Sequence, residues 1–269
     1  MQQRTNNLDS TEMNSVNTKS DVLFEALSHY RPTLIAELHP QHQGRLELLK
    51  EMMFSAKESG VDLCKIQIYG SERTLGSENW KYLEYKDRDL DEIFYLAEKL
   101  SISLFASVFS LEDFTRIQGY DVPAYKIASR TVKNRDLCLR MLETGKPVIC
   151  SLGAWDSSSL PFDKSSFPNL FYLDCVSKYP TPIEDTGYAF RNFSGECIDG
   201  ISDHSVGPAV SLAAIAHGAR IVERHMSMTK YRWADTERGH ICSSDPDEWR
   251  LLRTIGDRIA LARELSSCP

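Results

Sequence analysis

The sequence predicts an α/β fold, a TIM (β/α)8 barrel. Three observations lead there. From Thr33 onward, short apolar runs alternate with longer stretches of helical spacing, which implies right-handed crossovers and a parallel sheet. There are eight such runs. They occupy roughly 240 residues, close to the length typical of this barrel. An open doubly wound sheet is the alternative, weakened because no GxGxxG follows the first run.

Taken in order, residues 1–30 read as a flexible leader and 31–269 as one barrel domain. The first twenty residues are rich in Asn, Ser and Thr and have no apolar core, so they are not a secretory signal. The expected strands are TLIAEL (33–38), DLCKIQI (62–68), SLFASV (103–108), AYKIAS (124–129), PVICSLG (147–153), LFYLDCVS (170–177), IDGISDH (198–204) and ARIVERH (219–225). After the first comes RLELLKEMMFSAKESG, which puts Leu46, Leu49, Met53 and Ala56 on one helical face and stops at Gly60. DLDEIFYLAEKL groups Leu90, Ile93, Leu96, Ala97 and Leu100 in the same way. VSLAAIAHGA is a short apolar helix, and DEWRLLRTIGDRIALAREL is a long amphipathic one that closes the chain. The fifth helix is expected to be short or irregular, because AWDSSSLPFDKSSFPN carries two prolines and many serines.

Composition narrows the function. The chain is 42% hydrophobic with a net charge of -7. That balance does not support nucleic-acid or membrane-surface binding, and no apolar run is long enough to span a bilayer. Seven cysteines, an odd number without CxxC spacing, fit reduced thiols in a cytoplasmic protein.

In such a barrel the active site lies at the C-terminal strand ends. Those ends offer Glu37, Lys65, Gln67, Ser107, Lys126, Ser129, Ser151, Ser177, Tyr179, His204 and His225. Lys65 and Lys126 are lysines inside apolar runs, and each must find an anion or lose its charge. One such lysine reads as a structural ion pair. Two, flanked by serines, favour an anion site, and lysine with hydroxyl donors suits phosphate. His204 and His225 end neighbouring strands. Singly each is core filling. As a pair at matching depth they suit one divalent metal bound by neutral imidazoles, with positions left open for water and substrate.

These segments resemble the N-acetylneuraminate (sialic acid) synthase family. The resemblance runs from about Leu34 to Glu248 and is confined to the family's catalytic barrel. It rests on IAELHPQHQG, CKIQ, PAYKIAS, TGKPVICSLG, CVSKYPTP, GISDHSVG, GARIVERH and GHICSSDPDE. It implies condensation of phosphoenolpyruvate with an aldehyde sugar, giving a sialic-acid-like 2-keto-3-deoxy acid and phosphate. It implies Mn²⁺ or Mg²⁺ held by His204 and His225. Lys65, Ser107, Lys126, Ser129, Ser151 and Ser177 match positions around phosphoenolpyruvate. Glu37 matches a carboxylate that handles protons. Gln67 and Tyr179 match positions near the acceptor sugar. The resemblance is compatible with a homodimer. A non-catalytic sugar- or phosphate-binding relative is the alternative.

Departures from the family pattern fall on the acceptor side. Family members generally continue into a small antifreeze-like domain that offers an arginine to the partner's acceptor, whereas this chain ends at Pro269. Thr131 and Gly239 stand where carboxylates are usual, and Gln41 and Gln43 stand for asparagines. Replacement contacts are expected from the charged loop TKYRWADTERGH, above all from Arg232 and Asp235.

Overall fold

The computed structural model describes residues 18–193, 197–229 and 241–267. Eight parallel strands run in sequence order around a closed barrel, and the last pairs with the first. They are β1 (Thr33–Glu37), β2 (Leu63–Ile68), β3 (Ser103–Val108), β4 (Tyr125–Ile127), β5 (Val148–Ser151), β6 (Leu170–Cys175), β7 (Gly200–Asp203) and β8 (Ile221–His225). Each lies within one of the eight apolar runs, trimmed by at most two residues at either end. Both faces of a barrel strand are covered, so these strands read as near-continuous apolar sequence.

The helices are α1 (Lys19–Ser28), α2 (Leu46–Glu58), α3 (Ser71–Leu75), α4 (Asp87–Lys99), α5 (Leu111–Ile117), α6 (Arg135–Leu142), α7 (Ala209–Ala216) and α8 (Pro246–Ser267). Helix α2 buries Leu48, Leu49, Met52, Met53 and Ala56 on the barrel. Each fully buried side chain of that size contributes about 1.5–3 kcal/mol. Gly60, at φ +80°, then turns the chain into β2, a conformation that costs glycine little. Helix α4 buries Leu90, Ile93 and Ala97, with Leu96 and Leu100 packed partly against the core. Helix α8 buries Trp249, Leu252 and Ala260 and packs on α7 and α2.

The expected leader needs correction at its C-terminal end. Residues 19–28 form α1, opened by a capping box in which Thr18 and Asp21 satisfy each other's backbone N–H groups. Leu23 and Leu27, one turn apart, are buried. Ser20 Oγ donates to Pro123 O, and Arg220 donates to Leu27 O, so the helix packs across the N-terminal end of the barrel. Val22, Leu23, Phe24, Ala26 and Leu27 lie at helical spacing and carried the signal for this helix, although polar residues surround them.

No helix joins β5 to β6, as the prolines and serines there anticipate. The β6–β7 crossover is also reduced, to a 3₁₀ segment at Ile183–Phe190 that sequence reading did not single out. Among the described residues, no helix is long and apolar enough to cross a membrane, and the six cysteines are free thiols.

Candidate active site

Side chains alternate along a strand, so residues two apart share a face. That rule delivers Lys65 with Gln67 on β2, Cys175 with Ser177 from β6, Ser202 with His204 from β7, and Glu223 with His225 on β8. All of them line one cavity of ≈ 990 Å³ at the C-terminal mouth. Glu37, Ser107, Lys126, Ser129, Ser151 and Tyr179 line it too. Every candidate named at the strand ends therefore reaches the same space. Arg232 and Asp235 lie outside the described residues.

Charge is concentrated at the floor. Lys65 and Lys126 are 3% and 1% exposed. Lys65 Nζ lies 2.8 Å from Glu223 and 3.1 Å from Glu37. The structural ion pair is thus realised for Lys65. Lys126 is placed differently. It donates to Ser151 Oγ at 2.7 Å and to Ile127 O at 3.2 Å, and its nearest carboxylate oxygen, on Glu223, is 3.8 Å away. Burial pushes the Lys126 ammonium below its usual range.

The two carboxylates diverge. For Glu37, burial is the largest influence and raises the carboxyl, outweighing the pull of Lys65. It accepts hydrogen bonds from His39 N–H and Gln67 Nε2. For Glu223, burial also acts upward, but Lys126 and Lys65 together bring the carboxyl down to about 2. Their surroundings thus push the two carboxyls in opposite directions.

The imidazoles are neutral near pH 7. Burial lowers His204 to about 4, and burial together with His204 lowers His225 further below its usual value. Their rings are 5.6 Å apart between centroids. His204 Nδ1 is 3.0 Å from Val176 O, and His225 Nδ1 is 3.0 Å from Gln41 Oε1. A carbonyl oxygen only accepts, so each Nδ1 carries the hydrogen and each Nε2 keeps its lone pair. This is the arrangement that fixes a metal-binding imidazole. The donor set suits a divalent cation with open positions. Among the described residues, no group of three or more His, Cys, Asp or Glu side chains gathers to hold a metal. Ser107 Oγ, Gln41 Nε2 and Glu223 Oε2 are buried without hydrogen-bond partners.

Gly153 belongs to this wall. Its N–H donates to Ser129 Oγ, and a Cβ there would stand 2.5 Å from Ser177 Oγ and 3.0 Å from Cys175 Sγ. Only glycine lets the backbone approach these hydroxyls.

Several lining residues escaped sequence reading. Glu223 and Ser202 were discoverable, because each lies two residues before a histidine on the same strand face. His39 is buried, and its Nε2 lies 3.0 Å from Tyr69 Oη. Arg130, Trp80 and Asn79 also line the cavity, but no periodic pattern marks them, and Gln41, named from the sequence only as a departure from the family pattern, lines it too.

Comparison with known proteins agrees with the fold. The profile of the NeuB family matches residues 52–264. Pseudaminic acid synthase from Helicobacter pylori is 32% identical over 227 residues, covering 74% of this chain and 66% of that protein. Human N-acetylneuraminate-9-phosphate synthase is 28% identical over 249 residues, covering 82% and 68%. The crystal structure of a sialic acid synthetase from Leptospira borgpetersenii, in complex with citrate, superposes with a TM-score of 0.78 at 27% identity, covering 89% of this chain and 87% of that one. The chain spans about two thirds of the length of the curated relatives it matches. A closed eight-stranded barrel and a family match over most of the chain agree: the chain belongs to the NeuB family.

Proposed function

We propose that this chain condenses phosphoenolpyruvate with an aldehyde sugar, giving a sialic-acid-like 2-keto-3-deoxy acid and inorganic phosphate. The observation that carries the reading is the convergence of Lys126, Ser151, Ser107, Glu37 and two neutral histidines on one cavity. Its relatives' names, synthases of pseudaminic and N-acetylneuraminic acid types, support the same chemistry.

Carbon three of phosphoenolpyruvate bonds to the aldehyde carbon, whose oxygen becomes a hydroxyl with a proton that the adding water gives up. Water adds to carbon two, and phosphate leaves as the C–O bond breaks. Lys65, Lys126 and the hydroxyls of Ser107, Ser129, Ser151 and Ser177 hold the phosphate and carboxylate, and much of the rate comes from that positioning. Glu37, with its raised carboxyl, takes a proton from the adding water. Gln67 and Tyr179 orient the acceptor. Tyr179 lies with its ring centroid 4.1 Å from that of His204. His204 and His225 would hold Mn²⁺ or Mg²⁺, which when bound polarises the aldehyde oxygen. Arg232 and Asp235 complete the acceptor site in this proposal. A cytoplasmic homodimer is part of the same reading.

The test is phosphate release from phosphoenolpyruvate across a panel of hexosamine and deoxy-sugar aldehydes, with Mn²⁺, Mg²⁺ or a chelator. Aldehyde-dependent release that chelation abolishes and Mn²⁺ restores is expected, with N-acetylmannosamine a poor acceptor. Sugar or phosphate binding without release for any aldehyde would instead assign a non-catalytic role.

A further inference from the structure

We infer that a buried ion pair on the outer face of the barrel, Asp203–Arg224, positions the two histidines for their metal. The inference rests on the metal-site reading above. On β7 and β8 the inward rows are Ser202 beside Glu223 and, one step on, His204 beside His225. Asp203 and Arg224 alternate with them and face outward, paired in register. Both side chains are fully buried.

The guanidinium uses every one of its N–H groups, five by chemistry. Nε donates to Ser244 Oγ at 2.8 Å. Nη1 donates to Asp203 Oδ2 and to Ser211 Oγ. Nη2 donates to Ser205 O at 2.8 Å and Cys242 O at 3.2 Å. Asp203 is equally committed. Its Oδ1 accepts from Ser205 N–H, and its Oδ2 also accepts from Ser211 Oγ.

These bonds grip the histidines from outside. His204 is held through Asp203 and Ser205, its two chain neighbours. His225 is held through Arg224 and through Ser244, whose N–H donates to His225 O at 2.8 Å. A strand slip of one residue would turn both imidazoles out of the cavity. A smaller relaxation of either strand end would change the distance between them. Neither Asp203 nor Arg224 lines the cavity, so both are positioning residues.

The experiment measures Mn²⁺ dissociation constants by electron paramagnetic resonance of free Mn²⁺, alongside melting temperatures. Asp203→Asn and Arg224→Met are compared with Asp199→Asn, which removes a carboxylate paired with Lys164 and Arg220, away from the histidines. Loss of a group bonded directly to a metal-ligating side chain costs 10–100-fold in affinity. Asp203 and Arg224 act on the imidazoles through the strand backbone, so Asp203→Asn and Arg224→Met are expected to raise the constant by about 10-fold, the lower end of that range, while folded. Asp199→Asn should lower the melting temperature and leave Mn²⁺ affinity within about twofold. Should Arg224→Met fail to fold, Ser244→Ala removes one Arg224 contact without touching charge and should still weaken Mn²⁺ several-fold. Wild-type protein that binds no Mn²⁺ would sink the metal-site reading and this inference together. Tight wild-type binding that survives all the clamp variants, or weakens equally in Asp199→Asn, would overturn this inference alone.

Discussion

The two ends of the barrel use the same residue types for opposite purposes. At the N-terminal end, Asp62 accepts Leu34 N–H at 2.8 Å and pairs with Arg31 and Arg253. Asp199 accepts Tyr172 N–H at 2.8 Å and pairs with Lys164 and Arg220. These carboxylates fasten strand starts, and their bonds are closed among protein groups. At the C-terminal mouth, Glu37, Lys65, Glu223 and Lys126 point into a cavity where neighbouring Ser107 and Gln41 keep unpartnered polar atoms. Buried polar atoms without partners destabilise a protein, and three of the nine among the described residues, on Ser107, Gln41 and Glu223, face this one cavity, where a ligand can satisfy them. Charge at the base is closed into ion pairs at strand starts, while charge at the mouth faces the cavity.

Substitutions at the two ends should therefore separate stability from activity. The largest effect is expected for His204→Ala. Loss of one electrostatic stabiliser costs about 10²–10³-fold in turnover. Phosphate release should fall by at least that factor, with the melting temperature nearly unchanged. A large melting shift with turnover retained would make His204 a core residue.

Next comes acid stability. Burial lowers His42 to about 4, against an ordinary value near 6.5. The neutral ring is favoured in the folded state, so this stabilisation is present above pH 6.5 and is lost as pH falls toward 4. The full shift corresponds to on the order of 3 kcal/mol. Denaturant titrations should show His42→Gln flattening that decline. An unchanged slope would refute it.

Lys126→Met should weaken phosphoenolpyruvate by about 1.5–3 kcal/mol, the worth of a hydrogen bond to a charged group. The acceptor KM should move less. Equal loss for both substrates would remove Lys126 from the anion site.

The smallest effect on function is expected at the base. Asp199→Asn should cost about 1–3 kcal/mol of stability by leaving buried donors poorly paired. Its kcat/KM, measured well below the melting temperature, should stay within about twofold. A tenfold loss of kcat/KM would break the contrast between the two ends.

Much of this was legible beforehand, for identifiable reasons. Lys65, Lys126, His204 and His225 stand out because polar residues at the ends of apolar runs are visible in a linear sequence. Glu223 was equally visible and was passed over, although the two-residue strand period places it beside His225. His39 and Gln41 were not legible in this way. They belong to the loop after β1, where no period applies. Gln41 becomes part of the site only because its Oε1 meets His225, 184 residues away.

The sequence by itself determined where the eight strands lie, that helices alternate with them and which residues occupy the strand ends, because local periodicity is sufficient for those; closure into a barrel was decided where β8 pairs with β1. Only the tertiary structure decided that Lys65 would share its charge between Glu37 and Glu223, the latter 158 residues away, while Lys126 would meet Glu223 alone, at 3.8 Å. It also decided that α1 would pack across the base and that Asp203 and Arg224 would be sealed beneath Ser211, Cys242 and Ser244. The physical reason is that desolvation and ion pairing depend on which distant segments adjoin a group, and a linear pattern carries no record of that.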